Sequence, residues 1–382
     1  MDGYKIVIDA GHGGADNGCS RAGIVEKDIN LSISKKVQSK LENMGYQVLM
    51  IRMDDTYISK EERVKMANES KGDIYVSIHQ NASEDISVNG MEIWYEGNDL
   101  KREVESERLS MLIQKQTLEK TQAKERELRS DAGYHVTGST NMPACLVETG
   151  FLSNKAEREQ LMTEEYQDQI ADGIVQGIDY YFNPKIMYLT FDDGPVKENT
   201  ERVLDVLANK NIKATFFLVG ENVRKNPELA KRIVEEGHSI GVHCDVHDYD
   251  ILYSSVDNYV EDFLRAQKTI YDVTGVWTNI FRFPGGSVNS YNKMIRRDII
   301  EEMSKRGYTY FDWNASVEDA KRNISVEKII ENGVSTTLER KRVVMLAHDV
   351  VYNTGLCLEE LIDQLPQYRM LPITEEVKPV KF

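Results

Sequence analysis

The sequence predicts two α/β domains in tandem, an N-terminal doubly wound α/β domain and a C-terminal β/α barrel that is closed or nearly closed. Three observations support this prediction. The chain has 382 residues, enough for two ordinary domain cores. In each half, short β-rich runs alternate with helical periodicity, as in sheets covered by helices. The helix-breaking pair Asn183 and Pro184 lies near the middle of the chain.

The first half has the alternation expected of a doubly wound sheet. Its strand candidates are YKIVIDA, YQVLMIR, DIYVSIH, MEIWYE and ACLVETG. The helix predicted from Lys27 to Met44 is followed by Gly45. Its apolar stripe consists of Ile29, Ile33, Val37, Leu41 and Met44. The charged segment 104–129 predicts a long solvated helix, and a last amphipathic helix is expected near 164–181.

The second half contains seven strand candidates with helical segments between them, which favours a β/α barrel. These candidates are IMYLTFDDG, KATFFLVG, SIGVHC, IFRFPGG, TYFDWNAS, RVVMLAHD and RMLPIT. Only a few residues separate the last helix of the first half from the first of these strands. The predicted domains are therefore residues 1–183 and 184–382, joined by a short connection.

Composition indicates a globular protein and argues against two classes of partner. Hydrophobic residues make up 41% and charged residues 29% of the chain. The net charge of −16 argues against nucleic acid, because phosphate binding needs clustered Lys and Arg. Apolar runs fall short of the ~18 residues of a membrane helix, so a transmembrane segment is not expected. The four cysteines have no CxxC spacing and are interpreted as free thiols.

The start of the sequence bears on export. YKIVIDA follows Met1 almost directly, and no basic and apolar leader precedes it. The expectation is that a leader was removed or that export uses another route.

Polar residues that could bind a metal follow strands of the first half. They are His12 in DAGHGG, Glu26 in IVEKDIN and His79 in SIHQNAS. The carboxyl ends of parallel strands share one edge of a sheet, so these residues can converge there. Two His and one Glu form a known catalytic zinc set with one position left for water. Glu148, after PACLV, is a candidate general base. Asn81 is predicted either as a hydrogen-bonding neighbour or as a turn residue.

Taken singly, each of these residues is also typical of a structural position. Together, DAGHGG, the EK pair, SIHQNAS and PACLVETGFLSN resemble the zinc-dependent N-acetylmuramoyl-L-alanine amidase family over residues 4–182. The resemblance implies His12, Glu26 and His79 as zinc ligands and Glu148 as the catalytic carboxylate. It implies hydrolysis of the amide between the lactyl group of N-acetylmuramic acid and the L-alanine of the stem peptide.

The second half carries another candidate metal site. Asp192 and Asp193 end its first strand, in TFDDGP, so that one carboxylate can bind a metal while the other acts as a base. His243 and His247 in GVHCDVH are four residues apart, a spacing that predicts one side of a helical turn. Asp193 and the two histidines would form a two-His, one-Asp site.

Three further residues of the second half are candidates for the same chemistry. Arg282 in FRFPGG can hold Asp192 ionised through a charge-assisted pair. Gly285 can present its N–H to a developing oxyanion, and His348 in MLAHD is a candidate acid. A pair of aspartates or an HxxxH spacing alone also occurs by chance.

The blocks TFDDGP, HCDVH, RFPG, FDW and LAH together resemble the five motifs of the polysaccharide deacetylase family (chitooligosaccharide deacetylase homology, carbohydrate esterase family 4) over residues 186–380. The resemblance implies a distorted β/α barrel, with Asp192 as base and His348 as acid. The implied metal ligands are Asp193, His243 and His247, and this donor set accepts zinc, cobalt, manganese or iron. The implied supporting shell and acetyl pocket comprise Arg282, Asp312, Trp313 and Leu346.

The sequence departs from the deacetylase pattern at two positions. Cys244 stands where the family usually has Ser or Thr, which changes the surroundings of the metal but removes no ligand. Gly285 stands where many members of the family carry a bulkier residue, which leaves the sugar preference open. The two unassigned histidines, His135 and His238, are interpreted as structural.

The predicted function is therefore a bifunctional peptidoglycan-modifying hydrolase that acts on glycan strands and stem peptides at the bacterial cell wall, outside the cytoplasm. Two alternatives remain for the second domain. It mainly binds glycan, or it deacetylates a polysaccharide other than peptidoglycan.

Overall fold

A computed structural model of the chain describes residues 3–96, 100–130 and 134–382. It divides into two compact units, Met1–Pro184 and Lys185–Phe382. Both units have the α/β architecture that the sequence predicts, and this prediction is confirmed. Within the described ranges, no helix is both long enough and apolar enough to cross a bilayer. All four cysteines are free thiols.

The first unit contains a six-stranded sheet and a two-stranded hairpin. Its strands are β1 (Lys5–Ala10), β2 (Ser20–Arg21), β3 (Ile24–Val25), β4 (Gln47–Met50), β5 (Ile74–Asn81), β6 (Met91–Tyr95), β7 (Glu125–Ser130) and β8 (Ala144–Phe151). Its helices are α1 (Glu26–Asn43), α2 (Lys60–Ser70), α3 (Leu100–Thr121), α4 (His135–Gly138), α5 (Lys155–Leu161) and α6 (Glu164–Phe182). The strand order is β4-β1-β5-β8-β6-β7, with β6 antiparallel to β8.

Helices cover both faces of this sheet, as the alternation along β1 requires. Ile6 and Ile8 belong to the apolar cluster formed with α1, α3 and α6. Val7 points to the other face and packs in the cluster that includes Val64 of α2 and Val136 of α4. The sheet is therefore doubly wound, and the carboxyl ends of β1, β5 and their loops meet at one edge.

Two local predictions in this unit are wrong. The charged helix ends at Thr121, and the predicted helical residues beyond it include strand β7. This strand is held by non-local contacts, since Arg126 pairs with Glu92 of β6 and Leu128 packs on the apolar cluster. Met44 leaves the apolar stripe of α1 and is 46% exposed, because the helix ends one residue before it.

The second unit is a curled parallel sheet surrounded by helices. Its strands are β9 (Lys185–Asp192), β10 (Thr215–Val219), β11 (Ser239–Cys244), β12 (Ile280–Phe281), β13 (Thr309–Tyr310), β14 (Ala315–Ser316), β15 (Arg342–His348) and β16 (Tyr368–Met370). Its helices are α7 (Asn199–Asn209), α8 (Gly220–Lys225), α9 (Pro227–Glu235), α10 (Tyr249–Leu252), α11 (Val256–Thr274), α12 (Arg296–Lys305), α13 (Val326–Thr337) and α14 (Tyr352–Asp363). The order is β13-β12-β11-β10-β9-β15-β14, with β16 also pairing with β9.

Side chains alternate between the two faces of the curled sheet. Phe216 and Leu218 of β10 pack in the large cluster with the surrounding helices. Phe217 points the other way, into a smaller cluster with Phe311 and with Ile373 from the C-terminal segment. The predicted single strand TYFDWNAS is instead two short strands, β13 and β14, separated by the residues that contribute to the site described below.

His238 is buried at the start of β11, and its Nδ1 accepts a hydrogen bond from the Ala214 N–H. Burial, reinforced by the charge of Lys213, lowers the pKa of His238 to about 4. The native ring therefore binds fewer protons than the unfolded chain between this value and the ordinary 6.5. The free energy of unfolding of this unit should fall as the pH drops through that window.

The variant His238→Asn, which retains an acceptor for Ala214 but cannot titrate, should weaken this pH dependence. Thermal unfolding midpoints measured on either side of pH ~6 test the prediction. His135→Asn, which alters an exposed histidine, is the control. An unchanged pH dependence in His238→Asn would assign the effect to another group.

Candidate active sites

Three side chains converge at the carboxyl edge of the first sheet. His12 follows β1, Glu26 begins α1, and His79 lies in β5. Glu26 Oε1 is 3.2 Å from His12 Nε2 and 3.0 Å from His79 Nδ1. The three donor atoms lie within 4.8 Å of one another, a set that fits a divalent metal. Burial opposes ionisation of Glu26, but hydrogen bonds to both imidazoles outweigh it and lower its pKa.

Neighbouring groups fix the orientation of these donors. Asp16 Oδ2 lies 2.8 Å from His12 Nδ1, which favours a proton on Nδ1 and leaves the lone pair of Nε2 available to a metal. The Cys19 N–H donates to Glu26 Oε2 at 2.8 Å, and the Asn30 amide donates to Glu26 Oε1 at 3.2 Å. Asp16 was not predicted from the sequence to belong to the site. An acidic residue four positions after a candidate ligand histidine was the available signal.

Two arginines, also missed in the sequence, hold the loop after β1. Arg52 Nη2 donates to the Gly11 carbonyl at 2.9 Å, and Arg63 Nη2 donates to the His12 carbonyl at 2.5 Å. Gly11 is required here because a Cβ atom at this position would lie 2.2 Å from the His79 ring. The loop backbone therefore passes directly against the imidazole of one candidate ligand.

Strand β8 places Glu148 beside His79, its register partner on β5. Glu148 is 8% exposed, and within the described residues its Oε2 has no hydrogen-bond partner. Burial, followed by the charges of Glu26 and Glu92, raises the pKa of Glu148 well above its ordinary value. A buried carboxyl group with a free oxygen and a raised pKa is suited to accept and return a proton.

Asn81 contacts this site only indirectly. Its amide donates to Glu92 Oε2 at 2.9 Å, and Glu92 is the register partner of Glu148 on β6. Its Oδ1 also accepts a hydrogen bond from the Ala82 N–H at 2.7 Å. Asn81 therefore makes both predicted kinds of contact. It hydrogen-bonds to Glu92 near the site, and it caps the backbone of the turn after β5.

A cavity of about 650 Å³ opens onto the first cluster and includes all four of the residues predicted to carry its chemistry. Polar residues of its more distant wall are Tyr57, Lys60, Glu61, Tyr134 and His135. His135, which was interpreted as structural, is exposed at this cavity, and its Nδ1 lies 3.3 Å from the Ser139 hydroxyl. The cavity is large enough to accept a peptide segment beside the metal cluster.

We expect Asp16→Asn to lower the affinity of the first cluster for a divalent metal by about 10- to 100-fold, because the carboxylate behind His12 would be lost. Competition with a chromophoric chelator measures the metal affinities of the full chain. Of its two metal-binding sites, only the first should bind the metal more weakly in Asp16→Asn. Asp55→Asn, which alters an exposed carboxylate paired with Lys27 nearby, is the matched control. Equal affinities of both variants would show that Asp16 does not orient His12.

The second unit carries a comparable cluster at the carboxyl edge of its sheet. Asp193 Oδ1 lies 3.2 Å from His243 Nε2 and 3.5 Å from His247 Nε2, and the three donors lie within 4.8 Å of one another. Among the described residues this buried oxygen accepts no hydrogen bond of normal geometry, so a cation would satisfy it. The helical turn predicted for the two histidines is wrong. His243 lies in β11, and His247 lies in the loop that follows, before α10 begins at Tyr249.

Arg282 lies at the centre of this unit and is fully buried. Its Nη1 donates to Asp192 Oδ1 at 2.9 Å and to Thr190 Oγ1 at 2.7 Å. Its Nε donates to the Phe311 carbonyl, and its Nη2 donates to the Asp312 carbonyl. The guanidinium is therefore held against Asp192 by a charge-assisted hydrogen bond.

Strand β15 aligns His348 with Asp192, its register partner on β9. Asp319 Oδ1 lies 2.7 Å from His348 Nδ1, and Asp319 Oδ2 accepts the His348 N–H at 2.8 Å. Burial lowers the pKa of His348, but the contact with Asp319 outweighs it and raises the pKa to about 9. His348 is thus suited to donate a proton at neutral pH. Asp319 was not predicted from the sequence, because it lies in the loop after the short strand β14 and belongs to no quoted block.

The other predicted residues surround Arg282 and Asp192 in different ways. Asp312 accepts hydrogen bonds from the N–H and hydroxyl of Ser287, so it braces the loop after FRFPGG. The Trp313 ring lies 5.7 Å from the Arg282 guanidinium. Leu346 is two residues before His348 on β15 and therefore faces the same side of the sheet.

Each unit thus combines a cluster of two His and one carboxylate with a further buried carboxylate nearby. This combination is typical of metal-dependent hydrolases.

Comparison with known proteins gives the families. The model of the N-acetylmuramoyl-L-alanine amidase family matches residues 6–180, and that of the polysaccharide deacetylase family matches residues 179–311. The chain is 39% identical over 183 residues to the uncharacterized protein YqiI of Bacillus subtilis, covering 48% of this chain and 87% of YqiI. It is 35% identical over 180 residues to the N-acetylmuramoyl-L-alanine amidase LytC of Bacillus subtilis, covering 47% of this chain but only 36% of LytC.

A solved structure is similar to the second unit. The catalytic domain of peptidoglycan N-acetylglucosamine deacetylase from Eubacterium rectale is 33% identical, covers 52% of this chain and 93% of that one, and superposes with a TM-score of 0.50. The chain therefore belongs to the N-acetylmuramoyl-L-alanine amidase family through its first unit and to the polysaccharide deacetylase family through its second. Both are families of hydrolases, and the two resemblances inferred from the sequence are confirmed.

Proposed function

We propose that this chain is a bifunctional peptidoglycan hydrolase of the bacterial cell wall. Residues 1–183 would cleave the N-acetylmuramoyl-L-alanine amide bond with zinc. Residues 184–382 would remove acetyl groups from a peptidoglycan amino sugar with one divalent metal. The observation that carries the proposal is that each unit, besides its family membership, has a metal-ligand cluster next to a separate proton-transferring carboxylate.

In the first site, His12, Glu26 and His79 are the proposed zinc ligands. Zinc bound there would supply a Lewis acid for the amide carbonyl and for the attacking water. Glu148 would accept the proton of that water and return it to the nitrogen of the departing L-alanine. The buried, unpartnered Oε2 of Glu148 beside His79 supports this role.

In the second site, Asp193, His243 and His247 are the proposed ligands of a divalent metal that would polarise the acetamide carbonyl. Asp192, which accepts a hydrogen bond from Arg282, would remove a proton from the attacking water. The Gly285 N–H is proposed to stabilise the developing oxyanion.

His348 would protonate the amine as the C–N bond breaks, giving acetate and a free amino sugar. The contact with Asp319 supports a protonated imidazole at neutral pH. Asp192 and His348 are register partners on neighbouring strands, which supports their action on the same bond.

Peptidoglycan is proposed as the substrate of both units because both families occur in one chain. The named activity of the Eubacterium rectale relative also supports an amino sugar of peptidoglycan as the target. The same substrate places the proposed action outside the cytoplasm.

Incubation of purified peptidoglycan with the protein and zinc tests the proposal. We expect mass spectrometry of the digested products to show free stem peptides and glycan fragments that lack acetyl groups. Stem peptides without loss of acetyl groups would indicate that the second unit only binds glycan. Acetate released from chitin oligomers or acetylated xylan but not from peptidoglycan would show that the second unit acts on a different polysaccharide. Release of neither product would contradict the proposal.

A further inference from the structure

Two stacked tyrosines, one exposed and one partly buried, lie beside the candidate metal ligands of the second unit. The Tyr249 ring contacts His247 edge to face, with 5.0 Å between the ring centroids. Tyr291 stacks on Tyr249 at 4.8 Å with an angle of 16° between the rings. The side chain of Tyr291 is 51% exposed. We call Tyr249 and Tyr291 the tyrosine platform.

The platform is the outer end of a column of aromatic rings that continues into the core. Tyr249 stacks on Tyr253, Tyr253 on Tyr259, and Tyr259 on Phe283, with centroid distances of 6.2, 5.8 and 5.2 Å. The three inner rings are buried. Only Tyr291 and part of Tyr249 reach the surface, so the position of the platform is set by the core.

The loop that carries Tyr291 is braced against the same column. Asn289 donates to the carbonyls of Pro284 and Gly286, and its Oδ1 accepts the Tyr291 N–H at 2.9 Å. Gly285 has a φ of +72°, and a Cβ there would lie 3.2 Å from the Tyr249 ring. The glycine that departs from the family pattern therefore leaves room for Tyr249 beside the metal cluster.

From this geometry we infer that the tyrosine platform binds a sugar ring of the glycan strand next to the residue that loses its acetyl group. This inference rests on the proposed deacetylase function and deepens it. The C–H face of a pyranose ring is apolar and slightly positive, so it complements the negative face of an aromatic ring. Among the described residues, no group hydrogen-bonds to the hydroxyls of Tyr249 or Tyr291, which leaves them available to sugar hydroxyls.

The distance from the metal cluster determines which sugar is bound. Two successive ring contacts separate His247 from Tyr291. An acetamide bonded to a sugar at the metal cluster leaves that sugar too close to the cluster to cover Tyr291 as well. The platform therefore serves a neighbouring sugar, and its contribution should appear only with substrates longer than one residue.

The test uses Tyr291→Ala in the full chain and N-acetylglucosamine oligomers of one to five residues. Acetate release from the longer oligomers should show a kcat/KM about tenfold lower, as expected for the loss of one stacking contact. Release from the single sugar should not change. Tyr291→Trp should retain the activity of the parent protein on the longer oligomers. Tyr291 is half exposed, so its removal leaves the buried column in place.

Tyr271→Ala is the matched control, because Tyr271 is also an exposed tyrosine in an aromatic pair, with Trp277. It lies near the carboxyl end of α11, which leads into the amino end of β12, and thus at the opposite edge of the sheet from the metal cluster. Its kinetics should match those of the parent protein at every substrate length.

Binding of the same oligomers, followed by isothermal titration in an Asp192→Asn background, separates the inference from the proposed function. Weaker binding of longer oligomers in Tyr291→Ala would support the platform even if the parent protein releases no acetate. Acetate release with the same dependence on length in Tyr291→Ala and the parent protein would overturn the platform and leave the deacetylase function standing.

Discussion

The variant Glu148→Gln is expected to release stem peptides from peptidoglycan about 10²- to 10⁴-fold more slowly than the parent protein. Glutamine has nearly the same shape as glutamate but cannot accept a proton. His12, Glu26 and His79 remain in place, so metal binding should persist. Liquid chromatography of the released peptides gives the rate, and metal analysis of the purified variant shows that the first cluster is intact.

Glu61→Gln is the matched control for this variant, since Glu61 is a carboxylate on the wall of the same cavity and is not a neighbour of the metal ligands. The rate of stem-peptide release by Glu61→Gln should fall far less than that of Glu148→Gln. Release of acetyl groups should be unchanged in both variants. Normal peptide release by Glu148→Gln with metal bound would show that another group moves the proton.

Asp192→Asn should slow acetate release by a similar factor, because the carboxylate next to Arg282 would no longer act as a base. Asparagine retains an oxygen that can accept the hydrogen bond from Arg282, so the buried guanidinium does not lose its partner. Acetate measured by a coupled enzymatic assay gives the rate, and stem-peptide release should continue at the parental rate.

Asp205→Asn, which alters an exposed carboxylate paired with Arg232 on the surface of the same unit, is the control for Asp192→Asn. Full acetate release by Asp192→Asn would place the base elsewhere. Loss of both products in Asp192→Asn or in Glu148→Gln would show that the two reactions occur in an obligatory order and would contradict independent sites.

The sequence predicted the central features of each candidate site because these features depend on strand ends. His79, Glu148, Asp192 and His348 all occupy the last positions of apolar strands or lie near them. Hydrophobic periodicity shows where such strands end, and a parallel sheet brings their carboxyl ends together. The two-domain α/β architecture follows from the same periodicity.

The supporting residues could not be predicted in this way because their contacts connect distant parts of the chain. Asp319 meets His348 from a loop, and Arg63 reaches the loop after β1 from helix α2. Neither position has a periodic or compositional signal. The HxxxH spacing was misleading for a related reason, since the bend after β11 brings His247 back towards His243 without a helix.

The tyrosine platform lies outside what periodicity can show. Tyr249 begins the short helix α10, Tyr253 lies in the turn after it and Tyr259 lies in the first turn of α11. Tyr291 comes from a separate loop. Their stacking becomes visible only when the chain is folded.

The register pairs His79 with Glu148 and Asp192 with His348, and each pair spans two directly hydrogen-bonded strands. The spacing within each pair is therefore set by the backbone ladder and not by the conformation of a surface loop. On heating, each unit should keep its catalytic spacing until its own sheet melts. Inactivation of metal-saturated protein should then follow two separate thermal transitions, one for each reaction, and stem-peptide release and acetate release need not be lost at the same temperature.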